Sequence, residues 1–133
     1  MDIRTKAVQP KTTLHLRDAA DELMYDGDKP VTVTIYGPGS KQFAKAQAAQ
    51  QNRMLDMLKR KGKTEQTADQ KRAEQAEFLT DCTAEFDNLT YGDLTGAAMA
   101  NAVYSDIEIG FIADQVAKHI GDWANFSKPS ATN

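Results

Sequence analysis

Several residue types are scarce in this chain of 133 residues, and each scarcity excludes a class of protein. There is one cysteine, Cys82, which leaves no partner for an internal disulfide and no spacing for a cysteine-based metal site. No apolar run approaches the roughly 20 residues of a transmembrane helix. The first ten residues, MDIRTKAVQP, lack the apolar segment of a signal peptide. These features predict a protein of a reducing cytoplasm without membrane association.

Side chains that commonly carry catalysis are also few. The two histidines, His15 on a predicted strand and His119 near a predicted helix end, do not have the spacing of a metal site. The segment GPGS, residues 37–40, precedes a helix but lacks the lysine and the spacing of a phosphate loop. We therefore expect a non-enzymatic protein that has no catalytic residue and binds no metal or cofactor.

The pattern of apolar residues predicts a mainly α fold with a small N-terminal antiparallel β-hairpin. The segments TTLHLRD and VTVTIYG alternate apolar and polar residues, which indicates half-buried strands near residues 12–17 and 31–36. Between them, DGDKP has the composition of a turn. The length suits one domain, residues 1–126 with the hairpin at about 12–36. The tail 127–133 is predicted to be disordered, because Pro129 cannot continue a helix and little there can be buried.

Four helices should follow the hairpin. Ser40 is a candidate N-cap for a helix over 41–61 that ends near Gly62. Thr67 and Gln70 match a capping box for a helix over 67–87, and Ser105 with Glu108 matches a second box that opens the last helix. A short helix rich in small residues is predicted over 97–104. The apolar stripe of the first of these helices is imperfect; it comprises Phe43, Ala46, Met54, Leu55 and Leu58.

Charge is divided into two blocks. From 41 to 63 the chain holds seven Lys or Arg and one Asp, whereas from 64 to 95 it holds eight acids and two bases. If the helices over 41–61 and 67–87 pair antiparallel, these blocks lie side by side within one chain, and they could also attract between self-associating copies. The net charge of -3 and the lack of aromatic residues among the basic ones disfavour nucleic-acid binding.

The stretch 104–126, YSDIEIGFIADQVAKHIGDWANF, holds more apolar residues than one helix face can bury. Its core stripe is predicted to comprise Ile109, Ile112, Ala113, Val116 and Ile120. Phe111 lies about 100° away from that stripe, together with Ile107 and Gln115. These three residues, with Trp123 and Phe126, are the candidate partner-binding residues. The alternative for each aromatic residue is a place in the core.

The order of segments resembles the tail assembly chaperones of long-tailed, non-contractile bacteriophages. Three segments carry the resemblance: LHLRDAADELMYDGDKPVTVTIYGPGSKQF, AEFLTDCTAEFDNL and VYSDIEIGFIADQVAKHIGDWANF. It implies a non-enzymatic protein of the bacterial host cytoplasm that binds the tape-measure protein, keeps it soluble and is absent from the mature virion. It also implies a longer, frameshifted form through which the tail-tube protein is recruited.

Two alternatives follow from the same sequence. One is a permanent structural component of the virion, such as a tail-completion or connector protein. The other is a small nucleic-acid-binding regulator that would use the basic residues from Lys59 to Lys63.

Overall fold

Four α-helices and five strands follow one another in the computed structural model, which describes residues 1–62 and 65–128. The helices are Lys41–Lys61 (α1), Ala68–Asp81 (α2), Gly96–Ser105 (α3) and Gly110–Ile120 (α4). The strands are Lys11–His15 (β1), Tyr25–Asp26 (β2), Lys29–Pro30 (β3), Thr32–Tyr36 (β4) and Thr83–Asp87 (β5). This is a helix-rich α+β fold, the class that the sequence predicts.

The main sheet has three strands in the order β1-β4-β5. β1 pairs antiparallel with β4, from Lys11 opposite Tyr36 to His15 opposite Thr32. β5 pairs antiparallel with the other edge of β4. The short strands β2 and β3 form a separate ladder inside the connection from β1 to β4. The structure therefore differs from the predicted simple hairpin. The two predicted strands, β1 and β4, pair with each other but belong to a larger sheet, and the connection between them contains the ladder of β2 and β3.

The alternation in β4 decides which face of the sheet is covered. Val33 and Ile35 are fully buried, whereas Thr32 and Thr34 are half-buried on the opposite face. Successive side chains of a strand point to opposite faces, so the valine and the isoleucine form one apolar layer under the helices. The core joins this layer to side chains of α2, α3 and α4, among them Leu79, Val103 and Val116.

Local interactions set both ends of α1 and the start of α2 where the sequence places them. The Ser40 hydroxyl accepts a bond from the Phe43 amide at 3.1 Å and opens α1. Gly62 follows α1 with a φ of 70°, a left-handed conformation that glycine adopts without strain. In the capping box, the Thr67 amide donates to Gln70 and the Gln70 amide donates to Thr67. These three predictions are confirmed.

The predicted helix over 67–87 is wrong at its C-terminal end. α2 stops at Asp81, and the chain turns directly into β5. Residues Val33 and Phe86 are partners across the two strands, and the Phe86 ring packs 5.8 Å from the ring of Tyr104. β5 forms hydrogen bonds with backbone groups along one edge of β4 that would otherwise be left unpaired. The apolar spacing within residues 67–87 alone does not indicate this pairing with a distant strand.

The predicted capping box at Ser105 and Glu108 is also wrong. Ser105 ends α3, and its hydroxyl donates to the Asn101 carbonyl at 2.6 Å. Asp106 caps a 3-10 turn, Ile107–Ile109, that separates α3 from α4. The predicted core stripe is confirmed for Ile112, Ala113, Val116 and Ile120, which are all buried, and Ile109 is half-buried before α4 begins.

The two ends of the chain meet beside the sheet. A further 3-10 turn, Trp123–Phe126, follows α4, and the Gln9 amide donates to the Phe126 carbonyl at 2.7 Å. The Phe126 ring lies so close to Gly37 that a Cβ at that position would overlap it. Of the predicted disordered tail, 127–133, only Ser127 and Lys128 fall within the described residues, and both are exposed.

Candidate protein-interaction surface

Ile107 and Phe111 do not share one free face. The Ile107 side chain is 71% exposed, whereas Phe111 is half-buried and packs against the core. The expectation assumed a continuous helix, but the 3-10 turn before α4 changes the direction of Ile107. Asp106 holds this turn by accepting from the Glu108 amide at 2.9 Å, and the bond from the Tyr91 hydroxyl lowers the pKa of Asp106. Ile107 remains available to a partner, while Phe111 belongs mainly to the core.

Gln115 has a structural role in this fold. Its side-chain oxygen accepts from the Arg17 amide at 2.7 Å, and its side-chain nitrogen donates to the Arg17 carbonyl at 2.6 Å and to the Phe111 carbonyl at 3.0 Å. An amide side chain that pairs with both backbone groups of one residue acts like a neighbouring strand. Gln115 thus ties α4 to the segment after β1, and these bonds occupy both ends of its side-chain amide.

Trp123 and Phe126 lie in the same turn and differ completely in exposure. Trp123 is 57% exposed and extends near Gly39, whereas Phe126 is fully buried. α4 ends at Ile120, and Asp122 caps a new turn that contains both residues. Phe126 is therefore removed from the candidate surface, because it could meet a partner only if the fold opened. Trp123 stays on it.

Three of the exposed large apolar side chains lie together on α1, at positions predicted to belong to its buried stripe. Met54, Leu55 and Leu58 are 46%, 53% and 43% exposed. Leu55 lies nine positions after Ala46, and at about 100° per residue this step places the Leu55 side chain on the opposite side of the helix. Ala46 is buried, so Leu55 must point outward. This spacing in the sequence indicates the outward direction of Leu55.

We define the outer face of α1 as a strip of roughly 120° on the side away from the core. Its members are Ala44, Gln47, Ala48, Gln51, Met54, Leu55 and Leu58, all of them exposed. Lysines border it at both edges, including Lys45, Lys59 and Lys61. Three exposed large apolar side chains on one helix face form a contiguous patch, which is more typical of an interaction site than a single exposed residue.

The inner side of α1 holds the contact between the two charge blocks. Arg53 binds Glu74 through two nitrogens, with Nη2 at 2.7 Å and Nε at 3.0 Å from Oε1, and its Nε lies 3.4 Å from Glu77. Phe43 and Phe78 pack edge to face with ring centres 5.7 Å apart. Among the described residues, the ion pairs between α1 and α2 are those of Arg53, and the pairing does not include Lys59, Arg60 or Lys61.

Other parts of the described chain offer little reactive chemistry. A groove of about 550 Å³ lies between β5 and α3, and Glu85 is the one ionisable side chain that lines it. Burial raises the pKa of the Cys82 thiol to about 12, so this thiol stays protonated at neutral pH. Within residues 1–62 and 65–128, no group of three or more His, Cys, Asp and Glu could hold a metal ion. None of the helices described there is long and apolar enough for a membrane span.

A scan of protein-family models finds no match to this chain, and searches of curated proteins and of solved structures also find none. The surface itself is therefore the basis for a functional proposal.

Proposed function

We propose that this chain is a tail assembly chaperone of a long-tailed, non-contractile bacteriophage. It binds the tape-measure protein in the bacterial host cytoplasm, keeps it soluble until tail-tube subunits polymerise around it, and is absent from the mature virion. A longer, frameshifted form would recruit the tail-tube protein. The chain itself performs no reaction in this proposal.

The observation that carries the proposal is the outer face of α1. A protein that holds an apolar client in solution needs accessible apolar side chains whose exposure the fold tolerates, and it needs polar surroundings that keep it soluble itself. Met54, Leu55 and Leu58 meet the first need, and the lysines at the edges of the face meet the second. Ile107 and Trp123 add exposed apolar contacts elsewhere.

The test is co-expression with the tape-measure protein of the same phage, followed by measurement of the soluble fraction of that protein. We expect the wild-type chain to raise this fraction strongly over an empty vector and to co-purify with the client. An unchanged soluble fraction and no co-purification would contradict the proposal.

A second measurement separates a chaperone from a permanent tail component. Mass spectrometry of purified virions should detect tail-tube and tape-measure peptides but no peptides of this chain. Detection at a fixed ratio to tail-tube subunits would instead assign it to the tail-completion or connector class.

A further inference from the structure

The outer face of α1 has the spacing of a coiled-coil seam. Ala44, Ala48, Gln51, Leu55 and Leu58 follow one another at intervals of four, three, four and three residues. This is the repeat of the a and d positions that face a partner helix in a coiled coil. All five side chains are exposed, and together they span about 21 Å along the helix. The seam is therefore built along one helix and left open in the described chain.

Charge beside the seam carries one sign. The positions on either side of a and d hold Lys45, Asn52 and Lys59 on one edge and Gln47, Met54 and Lys61 on the other. Asp56 is the one acid of α1, and it lies about 100° from Leu55, outside these edge positions. In a coiled coil the edge positions face those of the partner helix, and their charges select the partner.

A second copy of α1 does not fit this seam. In an antiparallel pair centred on Asn52, Lys45 of each copy would face Lys59 of the other, and like charges at these positions oppose association. In a parallel pair in register, Met54 would face Lys59, and the edges would hold no opposite charges to attract each other. α2 of a second copy offers no seam either, because its exposed side chains are polar, charged or alanine. The complementary occupant is a helix of a different protein.

We propose that the outer face of α1 binds an amphipathic helix of a partner protein in which Asp and Glu flank the apolar seam. The inference rests on the proposed function in one respect, since the partner would then be a segment of the client. Leu55 and Leu58 supply the apolar contacts, Gln51 sets the register as the one polar residue in the seam, and the lysines at the edges select acidic flanks.

Two synthetic helical peptides of three heptads provide the probe. Both carry Leu at the a and d positions, and they differ only at the edge positions, which are Glu in one and Lys in the other. Binding is measured by fluorescence anisotropy at low salt and at 0.5 M NaCl. We expect the Glu peptide to bind at least about tenfold more tightly at low salt than the Lys peptide, and the difference to shrink as salt screens the charges.

Variants of the chain locate the site. Leu55→Ala with Leu58→Ala should weaken binding of the Glu peptide at least about tenfold, while the melting temperature stays close to wild type because both side chains are exposed. Leu94→Ala removes a leucine that is as exposed as Leu58, 43%, but lies on another surface; it is the matched control and should bind as wild type. The triple change Lys45→Glu, Lys59→Glu and Lys61→Glu should reverse the preference and favour the Lys peptide.

Three results would overturn the inference: equal binding of both peptides, wild-type binding by the double alanine variant, or an unchanged preference in the triple variant. Binding of α1 to anionic phospholipid vesicles with no binding of either peptide would identify the face as a membrane-surface helix instead.

Failure of the proposed chaperone function can be distinguished from failure of this helix-binding site. If the wild-type chain binds the Glu peptide but does not solubilise the tape-measure protein, the helix site stands and the client is wrong. If the double alanine variant still solubilises that protein, the chaperone function stands and the site is wrong.

Discussion

His119 links the last helix to the first strand and to the buried C-terminal aromatic ring. Its Nε2 lies 2.8 Å from the Thr12 hydroxyl, and its ring packs edge-on to Phe126 with centres 5.2 Å apart. Burial lowers the pKa of His119 from its ordinary value of 6.5, and the charge of Asp122 opposes this shift in part. The fold therefore favours the neutral imidazole.

The lowered pKa makes stability depend on pH in a defined direction. Between the folded pKa and 6.5, the unfolded chain binds more protons than the folded one, so the free energy of unfolding should fall as pH decreases through this range. Above 6.5 both states hold a neutral ring, and the contribution no longer changes with pH. Urea unfolding at pH 7.5, 6.5 and 5.5 measures the slope, and His119→Gln should reduce it.

Asp122→Asn is the matched control for this prediction. Asparagine can still cap the turn at Ala124, but it removes the charge that raises the pKa of His119. The folded pKa should then fall further, and the loss of stability should extend to lower pH. A slope that survives unchanged in His119→Gln would assign the pH dependence to other groups.

Residue positions in the candidate site show what local pattern can and cannot predict. Phe111 and Gln115 were assigned to a face from helical angles alone, yet Gln115 pairs with the backbone of Arg17, which is remote in sequence. Trp123 and Phe126 are both aromatic and lie three positions apart in one 3-10 turn. Which of the two rings is buried depends on the contact with Gly37, and no local pattern carries that information.

At the scale of elements, two helix starts were predicted correctly from local bonds. The start of α1 depends on Ser40 and Phe43, and that of α2 on Thr67 and Gln70, each pair within one turn. β5 was missed because its existence depends on pairing with β4. The outer face of α1 was missed for another reason: its leucines were grouped with Ala46 by hydrophobicity, although Leu55 lies about 180° and Leu58 about 120° around the helix from Ala46.

Arg53 contributes ion pairs to the contact between α1 and α2, and a double-mutant cycle can measure its coupling to Glu74. The Arg53 and Glu74 side chains are only 26% and 18% exposed, and two nitrogens of Arg53 contact one carboxylate. We expect a coupling free energy of about 1 kcal/mol from Arg53→Ala, Glu74→Ala and the double variant, at the upper end for such pairs because the geometry is bidentate.

The ion pair between Arg72 and Asp69 is the control for this cycle. Asp69 is 90% exposed and the pair lies within one turn of α2, so its coupling should not exceed about 0.5 kcal/mol and should vanish at high salt. If the two cycles give equal couplings, then Arg53 does not hold the helices together, and the apolar contact between Phe43 and Phe78 carries the pairing.

At the scale of the whole molecule, the N-terminal and C-terminal segments close the fold jointly. The Gly37 amide donates to the Pro10 carbonyl at 2.9 Å, the Gln9 amide donates to Phe126, and the Phe126 ring covers Gly37. Segments near both ends of the chain thus meet at Gly37, directly after the C-terminal end of β4. This arrangement supports the expectation that residues 1–126 unfold as one unit, with coincident transitions by near-ultraviolet and far-ultraviolet circular dichroism.

The boundary between the fold and its C-terminal tail can be located by comparing two substitutions and two truncations. Phe126→Ala removes a fully buried ring and should lower the free energy of unfolding by about 3–5 kcal/mol, whereas Trp123→Ala, in the same turn, should cost less than about 1 kcal/mol. A chain that ends at Asp122 should lose at least as much stability as Phe126→Ala.

A chain that ends at Lys128 should melt close to wild type, since 129–133 contain no large apolar residue in the sequence. A loss of several degrees in this longer chain would mean that the fold extends beyond Lys128, and the predicted tail would then begin later than residue 127 or not exist.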